Sequence, residues 1–173
     1  GRMTIFDGVT VMQTGAFSSL LENGWYNGAQ NVSKEESVLT IAGGTFSGGL
    51  NTIKNDDYGS LTINGGSFTN VAQAALLNWN KAEINGGTFE AGGNVILNGK
   101  LDDEMDRVEL TINGGKFTST SGNAVIAQMG GSSSIGEIVV ADGIKIPGLY
   151  FTVTKDGKTL NYTTAVDAVA SVG

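Results

Sequence analysis

Leu61 and Ile63 alternate with Thr62, the two-residue period of a β-strand with one buried face. Asn64-Gly65-Gly66 then breaks the strand, because Gly reaches positive φ without steric cost and Asn tolerates it. Phe68 returns an aromatic ring to the interior. The chain repeats this phrase. It reads Leu39-Thr40-Ile41-Ala42-Gly43-Gly44-Thr45-Phe46, then Leu61 to Phe68, then Ala82-Glu83-Ile84-Asn85-Gly86-Gly87-Thr88-Phe89, then Leu110-Thr111-Ile112-Asn113-Gly114-Gly115-Lys116-Phe117. After a spacer comes a second short strand: Ile53-Lys54-Asn55, Leu76-Leu77-Asn78, Ile96-Leu97-Asn98 and Ile126-Ala127-Gln128. Each unit therefore reads strand, Asn-Gly-Gly corner, Phe, turn, strand, loop.

Self-similarity at roughly 20–30 residues means stacked units. Two degenerate copies, Met3-Thr4-Ile5-Phe6-Asp7-Gly8 and Ile138-Val139-Val140-Ala141-Asp142-Gly143, extend the stack to about six coils. Their anchors Ile5, Ile41, Ile63, Ile84, Ile112 and Val140 are spaced 36, 22, 21, 28 and 28 residues apart. The shortest unit is too short for a propeller blade of about 40–45 residues, and the leucine-rich-repeat phrase is missing. The pattern predicts an all-β chain, a right-handed parallel β-helix over residues 1–148. Phe46, Phe68, Phe89 and Phe117 are expected to form an internal aromatic column, and the anchors an aliphatic one. Asn64, Asn85 and Asn113 would share one corner and hydrogen-bond up the stack.

From Gly148 the language changes. Phe151 to Tyr162 reads as a hairpin with Asp156-Gly157 in the turn. Thr164, with Asp167 three residues on, opens a short α-helix whose Val166, Val169 and Ala170 share a face. Residues 149–173 are thus expected to be a C-terminal cap or the start of a following module. The chain also begins mid-phrase with no leader, which suggests a monomeric module of a longer protein.

The composition narrows the chemistry. With no Cys and no His, zinc fingers, thiol nucleophiles, Ser-His triads and His-ligated metals are excluded. A net charge of −7 without a basic run argues against nucleic acid. No apolar run nears the roughly 20 residues of a membrane-spanning helix, so no membrane insertion is expected. No cofactor is implied.

The coils differ mainly between the second strand and the next first strand, in segments 23–37, 56–60, 79–81, 99–109 and 129–137. Insertions at one place in each repeat project from one side of a solenoid. These segments hold Trp25, Tyr26, Asp56, Asp57, Tyr58 and Trp79. Aromatics dominate interface energy, so this edge is the candidate ligand-binding surface. The alternative is that Trp25 and Tyr26 cap the N-terminal end. If Ile53, Leu76 and Ile96 point inward, Leu77 and Leu97 point outward and add an apolar patch beside Trp79. The loops are short and promise no deep cleft, which favours a protein partner over a sugar.

The acidic run Asp102-Asp103-Glu104 with Asp106 has the oxygen count for Ca²⁺ but neither the Gly nor the terminal Glu of an EF-hand loop; it reads as a solvated loop. Glycoside hydrolysis needs clustered acids along a groove. Here Glu83 is a rare outward acid, and Arg occurs only at Arg2 and Arg107. No enzyme is expected. The Thr columns that an ice-binding face would need are interrupted by Glu83 and Lys116.

The Leu-Thr-Ile-Asn-Gly-Gly-x-Phe coils, followed by Lys155-Asp156-Gly157-Lys158 and Tyr162-Thr163-Thr164-Ala165-Val166-Asp167-Ala168-Val169, resemble large repeat-built cell-surface proteins of gut Gram-positive bacteria. The resemblance implies an extracellular, surface-bound, non-catalytic adhesin-like module in contact with a host protein or glycan. Some proteins of that group bind immunoglobulin as superantigens, so immunoglobulin is among the implied partners. A passive spacer and a carbohydrate-binding or polysaccharide-degrading β-helix remain alternatives. Exposure of the aromatics named above separates binder from spacer.

Overall fold

A computed structural model describes residues 1–25, 34–99, 108–132, 135–148, 151–155 and 158–162, the last two segments by backbone only. Three strands recur per coil, each stacking on its counterpart in the next coil to give three parallel sheets. The first sheet runs β1 (Arg2–Ile5), β4 (Ser37–Ile41), β7 (Gly59–Ile63), β10 (Lys81–Ile84), β13 (Glu109–Ile112) and β16 (Glu137–Val140). The second contains β2 (Thr10–Gln13), β5 (Thr45–Gly48), β8 (Ser67–Asn70), β11 (Thr88–Ala91) and β14 (Lys116–Ser119). The third contains β3 (Leu21–Asn23), β6 (Asn51–Asn55), β9 (Ala74–Asn78), β12 (Ile96–Asn98) and β15 (Ile126–Gln128). This is a parallel β-helix. The repeated phrase predicts two strands per coil, whereas the residues around each Phe form a third strand of their own. Alternation of Thr or Ser with Phe gives that segment a strand period.

Register follows the repeated phrase. Ile5, Ile41, Ile63, Ile84, Ile112 and Val140 align strand by strand. Phe46, Phe68, Phe89 and Phe117 stack with ring centroids 5.1, 4.7 and 5.1 Å apart. That spacing is the inter-strand distance of about 4.8 Å imposed on the side chains. The corner before each Phe needs glycine: Gly66 sits at φ +113°, and a Cβ there would lie 3.1 Å from the Gly44 carbonyl oxygen of the coil below.

Two amide ladders climb the stack. The expected one is exposed: Asn85 donates to Asn64 Oδ1 at 3.0 Å and Asn113 to Asn85 Oδ1 at 2.8 Å. The other is buried at the end of the third sheet. Asn23 donates to Asn55 Oδ1 at 2.8 Å, Asn55 to Asn78 at 2.9 Å, and Asn78 to Asn98 at 2.7 Å. The same amides reach backbone carbonyls of the next turn: Asn55 reaches Lys81 at 2.9 Å and Asn78 reaches Glu109 at 3.0 Å. This ladder closes the corner from which the variable segments leave.

At the C-terminal end, β17 (Phe151–Lys155) and β18 (Lys158–Tyr162) form the expected antiparallel hairpin. β18 joins β16 through Val139 and Leu160, extending the first sheet to eight strands. The helix expected over 164–170 lies outside the described residues.

Candidate functional site

Outward positions of the third sheet align as Glu22, Lys54, Leu77, Leu97 and Ala127. Their inward neighbours Ile53, Leu76, Ile96 and Ile126 lie in the core, as the strand alternation predicts. The outward face is not a free apolar patch. Leu77 is 2% exposed and Trp79 is 9% exposed, while Leu97 is half-buried. Leu77 and Trp79 instead line an open pocket of about 340 Å³.

Residues of several coils build its walls. Ser18 and Leu20 hydrogen-bond with Leu50 and Asn51 through the backbone, which brings Phe17, fully exposed, to the rim. Asn70 accepts from the Ala72 and Gln73 amides at 2.9 and 2.8 Å and turns the chain so that Gln73 joins the wall. Met129 enters from the corner after β15. The Trp79 amide is held by the Asn55 carbonyl at 2.8 Å.

Lys54 organises the charges. Its Nζ lies 2.8 Å from Asp56 Oδ2, 3.8 Å from Glu22 Oε1 and 4.2 Å above the Trp79 ring. Asp56 is fully buried. Burial, and then the neighbouring Glu22 carboxyl, push its pKa up to about 7, while the Lys54 ammonium opposes the shift. Asp56 is not among the described residues lining the pocket.

Among the described residues, two that line the pocket carry buried side-chain atoms without a hydrogen-bond partner: Asn51 at Oδ1 and Trp79 at Nε1. The other buried side chain short of hydrogen bonds is the Asp56 carboxyl, which has the Lys54 ammonium as its ion partner. Buried polar groups in folded proteins are nearly always paired, so these atoms are exceptions in a stack that otherwise pairs its amides.

The other residues that the sequence singles out separate from the pocket. Trp25 is 42% exposed, and its amide donates to the Asp57 carbonyl at 2.9 Å in an isolated antiparallel bridge. Asp57 is buried, so neither member of the Asp56-Asp57 pair is a solvated loop acid. Tyr58 is half-buried in a left-handed turn at φ +58°, with Lys34 Nζ 5.3 Å above its ring. Tyr26 and the acidic run at 102–106 lie outside the described residues. Among those described, no cluster of three acidic residues could hold a metal, and no helix is long and apolar enough to cross a membrane.

Sequence reasoning misses Glu22, Asn51, Lys54, Gln73, Phe17 and Met129. One signal is present: Lys54 stands where the neighbouring coils carry Leu77 and Leu97. Comparison with protein-family models, with curated proteins and with solved structures returns no match.

Proposed function

We propose that the chain is a non-catalytic binding module of a bacterial cell-surface protein. It holds a host protein or a glycan against the outer face of the third sheet and the corner that follows it. The observation that carries this reading is the pocket on the outer face of the third sheet, which the exposed Phe17 with Leu77 and Trp79 line. Surface location and immunoglobulin as a partner come from the resemblance of the coil and hairpin phrases. Parallel strands joined by a crossover wind right-handed in nearly all cases, and we take these coils to do the same.

Trp25, exposed, and Tyr58, half-exposed, flank the corner and extend the surface beyond the pocket. A passive spacer is the second reading, favoured by the burial of Leu77, which removes the open apolar patch a broad adhesive face would use. Surface plasmon resonance of the purified chain against immunoglobulin and mucin glycans separates the two. The binding module engages one of these, and the Trp79→Ala, Tyr58→Ala double variant loses about 2 kcal/mol or more of affinity while remaining folded. A spacer engages neither.

A further inference from the structure

We infer that Asn64 is a site of spontaneous modification, where the side-chain amide closes onto the Gly65 nitrogen and is then converted by water to an acid. This goes beyond the binding-module reading and stands independently of it.

The chain carries one reactive phrase three times: Ile63-Asn64-Gly65-Gly66, Ile84-Asn85-Gly86-Gly87 and Ile112-Asn113-Gly114-Gly115. Glycine after asparagine leaves the attacking nitrogen unshielded, because it has no Cβ. The Gly nitrogen gives its proton to solvent hydroxide and adds to the Asn Cγ. A C–N bond forms, the Cγ–Nδ2 bond breaks, and Nδ2 leaves as ammonia with a proton from water. Water then adds to either carbonyl of the cyclic imide and opens it to aspartate or isoaspartate. The net change is amide plus water to acid plus ammonia, so solvent is the one co-reactant. All three asparagines are exposed to it. The Gly65, Gly86 and Gly114 amides donate no hydrogen bond among the described residues, so the nitrogen is unblocked in every copy.

The exposed ladder makes the copies unequal. Asn113 donates to Asn85 Oδ1 at 2.8 Å and also to Glu83 Oε1 at 3.0 Å, so its leaving nitrogen is held twice. Asn85 donates to Asn64 Oδ1 at 3.0 Å, so its leaving nitrogen is held once. Asn64 Nδ2 has no acceptor among the described residues, because the preceding coil carries Ala42 at that corner. The Asn64 carbonyl is nevertheless polarised by the Asn85 amide, and that bond strengthens as charge builds on Oδ1 during attack. Asn64 therefore joins an activated carbonyl to an untethered leaving group. Asn113 has the reverse arrangement.

Packing selects the product. A Cβ at Gly65 would lie 3.0 Å from the Ala42 carbonyl oxygen, and one at Gly86 would lie 2.8 Å from the Asn64 carbonyl oxygen. Isoaspartate inserts a carbon into the backbone of this crowded corner. Aspartate leaves the backbone unchanged, and its carboxylate still accepts from Asn85. The corner then bears one more negative charge on a chain already at −7.

The test holds the full chain at mildly alkaline pH, folded and, in parallel, unfolded in guanidinium. Acid gained at each Asn-Gly is followed by peptide mapping in ¹⁸O-labelled water. Unfolded, the three sites should react at similar rates. Folded, Asn64 should lead and Asn113 trail by roughly ten-fold, the rate equivalent of about one hydrogen bond. Ala42→Asn, at an exposed position, supplies the missing acceptor. It should slow Asn64 to the rate of Asn85 and make position 42 the fastest. Equal folded rates, Asn113 in the lead, or no reaction at Asn64 in the folded chain overturns the assignment. An Asn64 rate that Ala42→Asn leaves unchanged overturns the ladder's part in it. Isoaspartate in excess of aspartate at position 64 of the folded chain overturns the packing argument.

Discussion

Asn78 and Trp79 are neighbours in the chain, both buried, and their polar atoms fare differently. The Asn78 amide accepts from Asn55 at 2.9 Å and donates to Asn98 at 2.7 Å, with the Glu109 carbonyl at 3.0 Å. Trp79 Nε1 has no partner. One faces the inside of the corner, where four successive coils carry Asn23, Asn55, Asn78 and Asn98; the other lines the pocket outside it, where the coils diverge. Repetition satisfies polar groups almost automatically, because each coil supplies the partner of the next. Where the repeat lapses, nothing supplies the partner. The interior ladder is thus architecture, and the pocket is where the fold leaves bonding capacity unused.

The two regions should respond differently to substitution. Phe89→Ala, which empties the middle of the aromatic column, is expected to destabilise by roughly 3–5 kcal/mol, measured by chemical denaturation. Asn78→Ala breaks a buried ladder on both sides and leaves Asn98 Oδ1 without its donor; about 3 kcal/mol is expected. Asp56 gives a pH signature. Its pKa of about 7 in the folded protein stands above the unfolded value near 3.9, so the folded state binds the extra proton between these limits. Its contribution is complete below about pH 4 and is lost as pH rises towards 7, at up to roughly 1.4 kcal/mol per pH unit. Asp56→Asn, which cannot ionise, should therefore gain on the parent across that window; parallel stability curves would refute this. Trp79→Phe should change stability by about 1 kcal/mol or less, since the indole N–H makes no bond to lose. Asn85→Ala, in the exposed ladder, should cost about 0.5 kcal/mol, because water replaces the missing amide. A cost at Asn85 equal to that at Asn78 would erase the distinction between the ladders.

The scaffold is legible in the sequence because identical residues recur at identical places. Ile63, Phe68 and Asn64 each have counterparts one coil away, so alignment of the phrases is already alignment in space. The buried ladder is half-legible. Asn55, Asn78 and Asn98 end matching strands, but Asn at a strand end reads equally well as a turn residue, and only burial distinguishes the two. The pocket is largely hidden, for the converse reason. Phe17, Glu22, Asn51 and Met129 occur singly, in separate coils, and no phrase relates them. Trp79 and Leu77 stand out as candidates, yet their burial depends on neighbours far away in sequence. Asp56 and Asp57 read as surface acids because nothing local shows Lys54 or the Trp25 bridge closing over them.

The central claim, that ligand contact falls on the pocket wall and spares the repeated interior, is tested most directly by the two indole N–H resonances in a ¹H–¹⁵N spectrum. They are assigned with Trp25→Phe and followed while the immunoglobulin or mucin glycan that binds the chain in surface plasmon resonance is titrated in. The account predicts a progressive, saturable shift of the Trp79 indole resonance, with the side-chain amides of Asn55 and Asn78 unmoved. Saturating ligand that leaves the Trp79 resonance in place, or that moves only Trp25, would contradict it.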